Sequence, residues 1–190
     1  MALYISPKHL EHDFTHGMTL NDKIDVFAAR VEGWQLGVAR AIIDKDIPDR
    51  EFVLLHIVMN YFEMIAKYRA GYTKDGQSKD FFRQGVRTVF PEIDTWPPDV
   101  FGDFITALYS NVRCGLYHIG MPKPTVIVTD VKAIAPIRYY PDGQKVILNP
   151  DKLVQVIQAH FAEYISALKN VTNVEIRTNF EARFNVDNNC

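Results

Sequence analysis

The chain has 190 residues, 47% of them hydrophobic and 12% aromatic, enough to bury the core of one domain of ordinary size. A formal charge of -2 and a pI near 6.3 give no global attraction to nucleic acid, so any such contact requires a local basic cleft. Two cysteines, Cys114 and Cys190, exclude a disulfide framework and predict a reducing, cytoplasmic setting, and the lack of a signal-like start or of an apolar run near ~18 residues predicts neither secretion nor membrane spanning.

Residues 1–18, with Pro7, Gly17, His9, His12 and His16, show no clear period and are expected to form an irregular N-terminal arm. The histidines beside Glu11 and Asp13 lack the spacing of a helical zinc site, so no metal and no cofactor is expected. From Thr19, with Asp22 completing a capping box, Ile24, Phe27, Val31, Trp34, Val38 and Ala41 recur at spacings of three and four, which predicts a long helix ended by Ile47-Pro48. Gly33 and Gly37 within it are expected to mark close approach of a neighbouring helix.

Asp49 is the expected cap of a second helix, apolar around most of its circumference and therefore central; its polar exceptions are Asn60 and Glu63, the latter spaced to pair with Lys67. A third helix runs from Ser78, the expected cap, through Phe81, Phe82, Val86, Val89 and Phe90 to Pro91. After Trp96-Pro97-Pro98, a fourth carries the seam Phe101, Ile105, Leu108 and Val112 and delivers Arg113 and His118 to its end.

Beyond Gly120, Pro122 and Pro124 forbid further helix, and β-branched 125–129, then 134–140, an Asp142-Gly143 turn and 145–148 predict a small sheet of two or three strands. Asn149-Pro150-Asp151 opens a fifth helix, and 171–190 is expected to be a short helix and a frayed tail. The predicted fold is a mainly α, up-and-down helical bundle with an antiparallel β hairpin or three-strand insert before the last long helix. It forms a single domain: an arm (1–18), helices one to four (19–120), the β insert (124–148), the fifth helix (149–170) and the tail (171–190).

An arginine and a histidine without a metal-ligand set suit metal-free attack on an RNA phosphodiester. Histidine exchanges a proton near neutral pH, taking it from the 2'-hydroxyl or returning it to the leaving 5'-oxygen, and arginine offers a permanent charge and a planar fork to the phosphoryl oxygens. On a regular helix, five residues put Arg113 and His118 about 140° apart, so they converge only if the helix loosens near Gly115 or two copies pool their pairs. The spacing itself is cheap: with 10 arginines and 6 histidines, roughly one such match arises by chance. Arg50 and His56 supply a second, where a packed or partly exposed histidine is the reading.

The helix ending Asn111-Val-Arg113-Cys114-Gly-Leu-Tyr117-His118-Ile-Gly120 resembles the signature of the HEPN superfamily, all-α domains with an arginine followed after four to six residues by a histidine late in a bundle helix. The resemblance spans roughly 19–170 and implies a metal-independent endoribonuclease acting as a homodimer on RNA, with Arg113 and His118 as the active pair. Families of this kind serve toxin-antitoxin, antiphage and RNA-processing systems, which also implies an antitoxin or other protein partner. Cys114 stands where a polar residue is usual. Gly120 stands where toxins paired with minimal nucleotidyltransferases carry a modifiable tyrosine, so adenylylation there is not expected. Tyr109, Asn111, Cys114, Tyr117 and Glu63 are candidate cleft-lining residues. The alternative is a catalytically inactive module of the same shape that binds a nucleotide, RNA or a partner protein.

Overall fold

The structure, a computed structural model, describes residues 3–74 and 76–188; Cys190 lies outside them. The chain is mainly helical, with one two-stranded and one three-stranded sheet among the described residues. Its contacts gather into two compact units: Met1–Lys45, Lys67–Asp75 and Gln158–Cys190 in one, Asp46–Ala66 and Gly76–Ile157 in the other.

In the first unit, the described part of the arm is more ordered than its sequence suggests. Strands β1 (Tyr4–Ser6) and β2 (His9–Leu10) pair antiparallel around Pro7-Lys8, a turn fastened by buried Ser6, whose Oγ lies 2.6 Å from His9 Nδ1 and accepts from the Lys8 amide. Helix α1 (Leu20–Arg30) starts at the expected box. The Thr19 amide donates to Asp22 Oδ2 at 2.8 Å and the Asp22 amide to Thr19 Oγ1 at 3.2 Å.

Hydrogen bonds from Thr19 to the Asp22 carboxylate hold its pKa below the ordinary value. The box therefore contributes its full stability at neutral pH and loses it as pH falls from the ordinary carboxylate range through that lowered value. Asp22→Asn should lower the melting temperature at pH 7, and the gap from wild type should close under strong acid, as followed by circular dichroism.

The helix continues through a π-helical turn, Val31–Leu36, into α2 (Gly37–Asp44). A π turn takes up one residue more than an α turn, which rotates everything downstream by about 100°. Leu36 and Ala39 are accordingly buried, while the expected face residues Trp34 and Val38 are 50% and 44% exposed. The two glycines also depart from expectation. A Cβ on Gly33 would meet Pro7 of the arm at 2.4 Å, and one on Gly37 would meet the Glu32 carbonyl of its own π turn at 2.6 Å. Neither marks a neighbouring helix.

The described part of the tail is a helix of 15 residues, α8 (Val174–Asn188), longer than the short one expected, and the end expected to fray lies outside the described residues. Phe180 and Phe184 anchor it at 0% exposure, in a ring cluster with Phe27, Tyr68 and Phe161 whose centroids lie 4.3 to 5.7 Å apart.

The second unit is organised on α3 (Glu51–Ala70) as far as Ala66, where Leu54, Leu55, Val58, Met59, Phe62 and Ile65 are fully buried, as its apolar circumference predicts. Its expected cap fails: Asp49 adopts φ 57°, and Arg50 occupies the cap position, its carbonyl accepting from Leu54. Helix α4 (Ser78–Val89) buries Phe81, Phe82, Val86 and Val89. Gln77 rather than Ser78 is its cap residue, and Ser78 is released for another role.

Helix α5 (Pro98–Ala107) passes through a second π turn, Leu108–Arg113, into α6 (Cys114–Ile119), so a single helix spans 98–119. Gly120 ends it at φ 77°. The chain then folds back so tightly that a Cβ on Gly115 would stand 2.6 Å from the Met121 carbonyl oxygen.

The insert has three strands, β3 (Val126–Val128), β4 (Ile137–Tyr140) and β5 (Lys145–Leu148), in the order β3-β5-β4. The hairpin β4–β5 is antiparallel, but β3 joins β5 in parallel, so the sheet is mixed. The central strand buries Val146 and Leu148 completely. Helix α7 (Pro150–Lys169) begins as expected: the Lys152 amide donates to Asn149 Oδ1 at 3.1 Å, and Asn149 Nδ2 donates to the Val131 carbonyl at 3.0 Å.

Candidate functional site

Arg113 sits at the last position of the π turn, and Tyr109, Arg113 and Tyr117 follow one another at intervals of four along one stripe of the helix. The guanidinium lies between the two rings, its carbon 5.5 Å from the Tyr109 centroid and 4.6 Å from that of Tyr117. Arg113 Nη2 donates to Glu63 Oε2 at 3.0 Å and to Ser78 Oγ at 3.4 Å, and Ser78 Oγ donates in turn to Glu63 Oε2. The ion pair is largely withdrawn from water, with side chains 20% and 16% exposed. Nη2 alone makes these bonds. The other two nitrogens of Arg113 bond to no other described residue.

Glu63 belongs to a polar stripe on α3, His56, Asn60 and Glu63, spaced by four and three. The Tyr117 hydroxyl donates to Asn60 Oδ1, and the His56 and Tyr117 rings stand 6.3 Å apart. Burial pushes the Tyr117 phenol above its ordinary pKa, against the opposing pull of Arg113, so it remains a neutral donor. Tyr109 is fixed from its other side by Phe82, edge to face at 5.4 Å.

The remaining candidates are elsewhere. His118 is exposed and forms no hydrogen bond or ion pair with another described residue. Helix α6 is regular between Arg113 and His118, because the loosened turn precedes Arg113 rather than falling near Gly115, so the two side chains leave it about 140° apart. Asn111 secures the return segment: its Nδ2 donates to Thr125 Oγ1 at 3.2 Å and its carbonyl accepts from Lys123. Cys114 is a half-buried free thiol.

The structure thus brings Arg113, Glu63, Tyr109 and Tyr117 together, and leaves His118, Asn111 and Cys114 outside that cluster. It adds Ser78, Asn60 and His56. Of these, Asn60 is visible in sequence as a polar interruption of an apolar helix, whereas Ser78 presents the same sequence signal as a helix cap. Arg50 of the second arginine-histidine match is bonded to Asp46 at 2.6 Å and Asp151 at 3.0 Å, which makes it a structural residue, and His56 is the partly exposed histidine expected, its Nδ1 2.8 Å from the Phe52 carbonyl oxygen.

A cleft of about 530 Å³ opens along the start of α3, lined by Phe52, Met121, Pro122, Pro124, Val126 and Val128 among others. Among the described residues, no three of His, Cys, Asp or Glu cluster as a metal site would require, and no helix is long and apolar enough to cross a membrane. Compared with known proteins, the chain matches no family model, no curated protein and no solved structure.

Proposed function

We propose that the protein is a metal-independent endoribonuclease of the HEPN kind, cleaving RNA by attack of the 2'-hydroxyl on the adjacent phosphorus, with Arg113 and His118 working in a composite site between two copies. The observation that carries this reading is the state of the Arg113 fork. One nitrogen is tied to Glu63 and Ser78, the plane is set by two tyrosines, and the other nitrogens remain to grip phosphoryl oxygens. His118, exposed and bonded to no other described residue, suits proton transfer to an external group, and its direction on α6, about 140° from Arg113, favours a pairing with the Arg113 of a second copy.

Incubation with end-labelled single-stranded RNA in EDTA is the test. Wild type should release 2',3'-cyclic phosphate ends, and His118→Ala should cleave on the order of 10²-fold or more slowly, with the dimer unchanged by sedimentation. Mixing inactive Arg113→Ala and His118→Ala copies should restore cleavage, because one of the two composite sites in the mixed dimer is then intact. Failure of the wild type to cleave a varied panel of RNAs would sink the proposal.

The second reading, an inactive module that binds a nucleotide, RNA or a partner protein, is favoured by one feature: Glu63 already answers the Arg113 charge. It predicts binding lost in Arg113→Ala with no cleavage by any form.

A further inference from the structure

We infer that His56 is a catalytic residue of this site, the base that takes the 2'-hydroxyl proton in the same chain that supplies Arg113. This deepens the ribonuclease reading and rests on it. Arg113 and Tyr117 lie one turn apart on the face of the helix that meets the α3 stripe, as the bonds Arg113 to Glu63 and Tyr117 to Asn60 fix. His118 leaves α6 in another direction. The histidine on the Arg113 side of one chain is therefore His56, and the Tyr117 ring neighbours both groups, 4.6 Å from the guanidinium carbon and 6.3 Å from the imidazole centroid.

The tautomer of His56 is also set for the task. Its Nδ1 lies 2.8 Å from the Phe52 carbonyl oxygen, which can only accept, so Nδ1 carries the hydrogen and Nε2 holds the lone pair. Nε2 bonds to no other described residue, and the ring is only half buried. Phe52, the residue that fixes the tautomer, lines the 530 Å³ cleft, which leaves room along α3 for the flanking nucleotide.

In the step this assigns, the 2'-hydroxyl proton passes to His56 Nε2 while the 2'-oxygen bonds to phosphorus. The bond from phosphorus to the 5'-oxygen breaks, and that oxygen takes its proton from His118 of a second copy. The products are a 2',3'-cyclic phosphate and a 5'-hydroxyl; His56 then loses its proton to water and His118 regains one. The division of labour explains why a single exposed histidine need not serve as both base and acid.

The experiment compares His56→Gln, His56→Ala and His118→Ala with wild type on the same labelled RNA, reading turnover rate, KM and rescue by added imidazole, with folding checked by circular dichroism. The expected result is that His56→Gln turns over on the order of a hundredfold more slowly than wild type, or slower still, while its KM changes less than about threefold and imidazole partly restores His56→Ala. If both His56 variants cleave like wild type while His118→Ala is inactive, the inference is overturned and the ribonuclease reading stands. If KM rises alone and imidazole restores nothing, His56 serves binding and the inference is again overturned. Absence of cleavage by wild type overturns both.

Discussion

Gly85→Ala should unfold the second unit at a markedly lower temperature than wild type. A methyl group at that position would stand 1.8 Å from the Phe62 carbonyl oxygen, 2.5 Å from its carbonyl carbon and 2.8 Å from its Cα, so backbone rather than a flexible side chain must give way. Alanine is favoured over glycine in a helix by about 1 kcal/mol, and the clash outweighs that gain. We expect a net loss of about 3 kcal/mol, which for a chain of this length lowers Tm by roughly 10 °C. Gly102→Ala is the internal control: Gly102 is exposed in α5 with nothing within 4 Å of the added group, and the substitution should raise Tm slightly. Equal effects at the two sites, read by thermal scanning, would contradict the packing described for α3 and α4. The same contact bears on the site, because Ser78 reaches Glu63 only while α4 is seated against α3.

Arg113→Met should cost about 2 kcal/mol of stability, apart from the loss of cleavage that the proposed function predicts. Removing one partner of a fully buried ion pair costs about 3–5 kcal/mol, and the 16–20% exposure of this pair lets water recover part of that. Methionine preserves most of the packing between Tyr109 and Tyr117 but neither the charge nor the donors, so the loss reports the Glu63 bond and the ring contacts. Lysine should rescue stability only in part, since a compact ammonium lacks the planar fork that lies between two rings while bonding at its edge. In a double-mutant cycle with Glu63→Gln, by urea unfolding, the two positions should couple by about 1 kcal/mol or more. Simple additivity would mean that the ion pair does not organise the site.

Much of the second unit can be read from local rules. The apolar circumference of α3 does mark a central helix, the α4 seam is buried as its spacing requires, and Asn149-Pro150-Asp151 does open α7. These succeed because each is a short-range fact: an apolar period of 3.6, or a side chain that caps an amide three residues away. The cap readings at Asp49 and Ser78 fail for the complementary reason. Backbone torsions at Asp49 and the demand of Glu63 for a hydroxyl donor are imposed from outside the local segment.

The candidate site is legible in sequence as a set of residues and not as an arrangement. Arg113, Tyr109, Tyr117 and Glu63 are all conspicuous in sequence, but 50 residues separate Glu63 from Arg113, and only packing of α3 against the 98–119 helix makes them partners. Spacing pairs His56 with Arg50, whereas its ring lies near Tyr117, far along the chain.

The sequence by itself determined how α1 and α7 begin, which faces are apolar up to the first irregularity, and that an arginine and a histidine stand late in one helix. Tertiary structure alone decided the rest, through the two π turns. Each adds a residue that no apolar period announces: the first moves burial from Trp34 and Val38 to Leu36 and Ala39, and the second ends at Arg113 itself. A π turn exchanges regular i to i+4 bonds for a better fit of the side chains beyond it, so its position follows from packing partners distant in the chain. That is why the direction of Arg113, toward Glu63 and away from His118, was settled by the fold and not by the spacing between them.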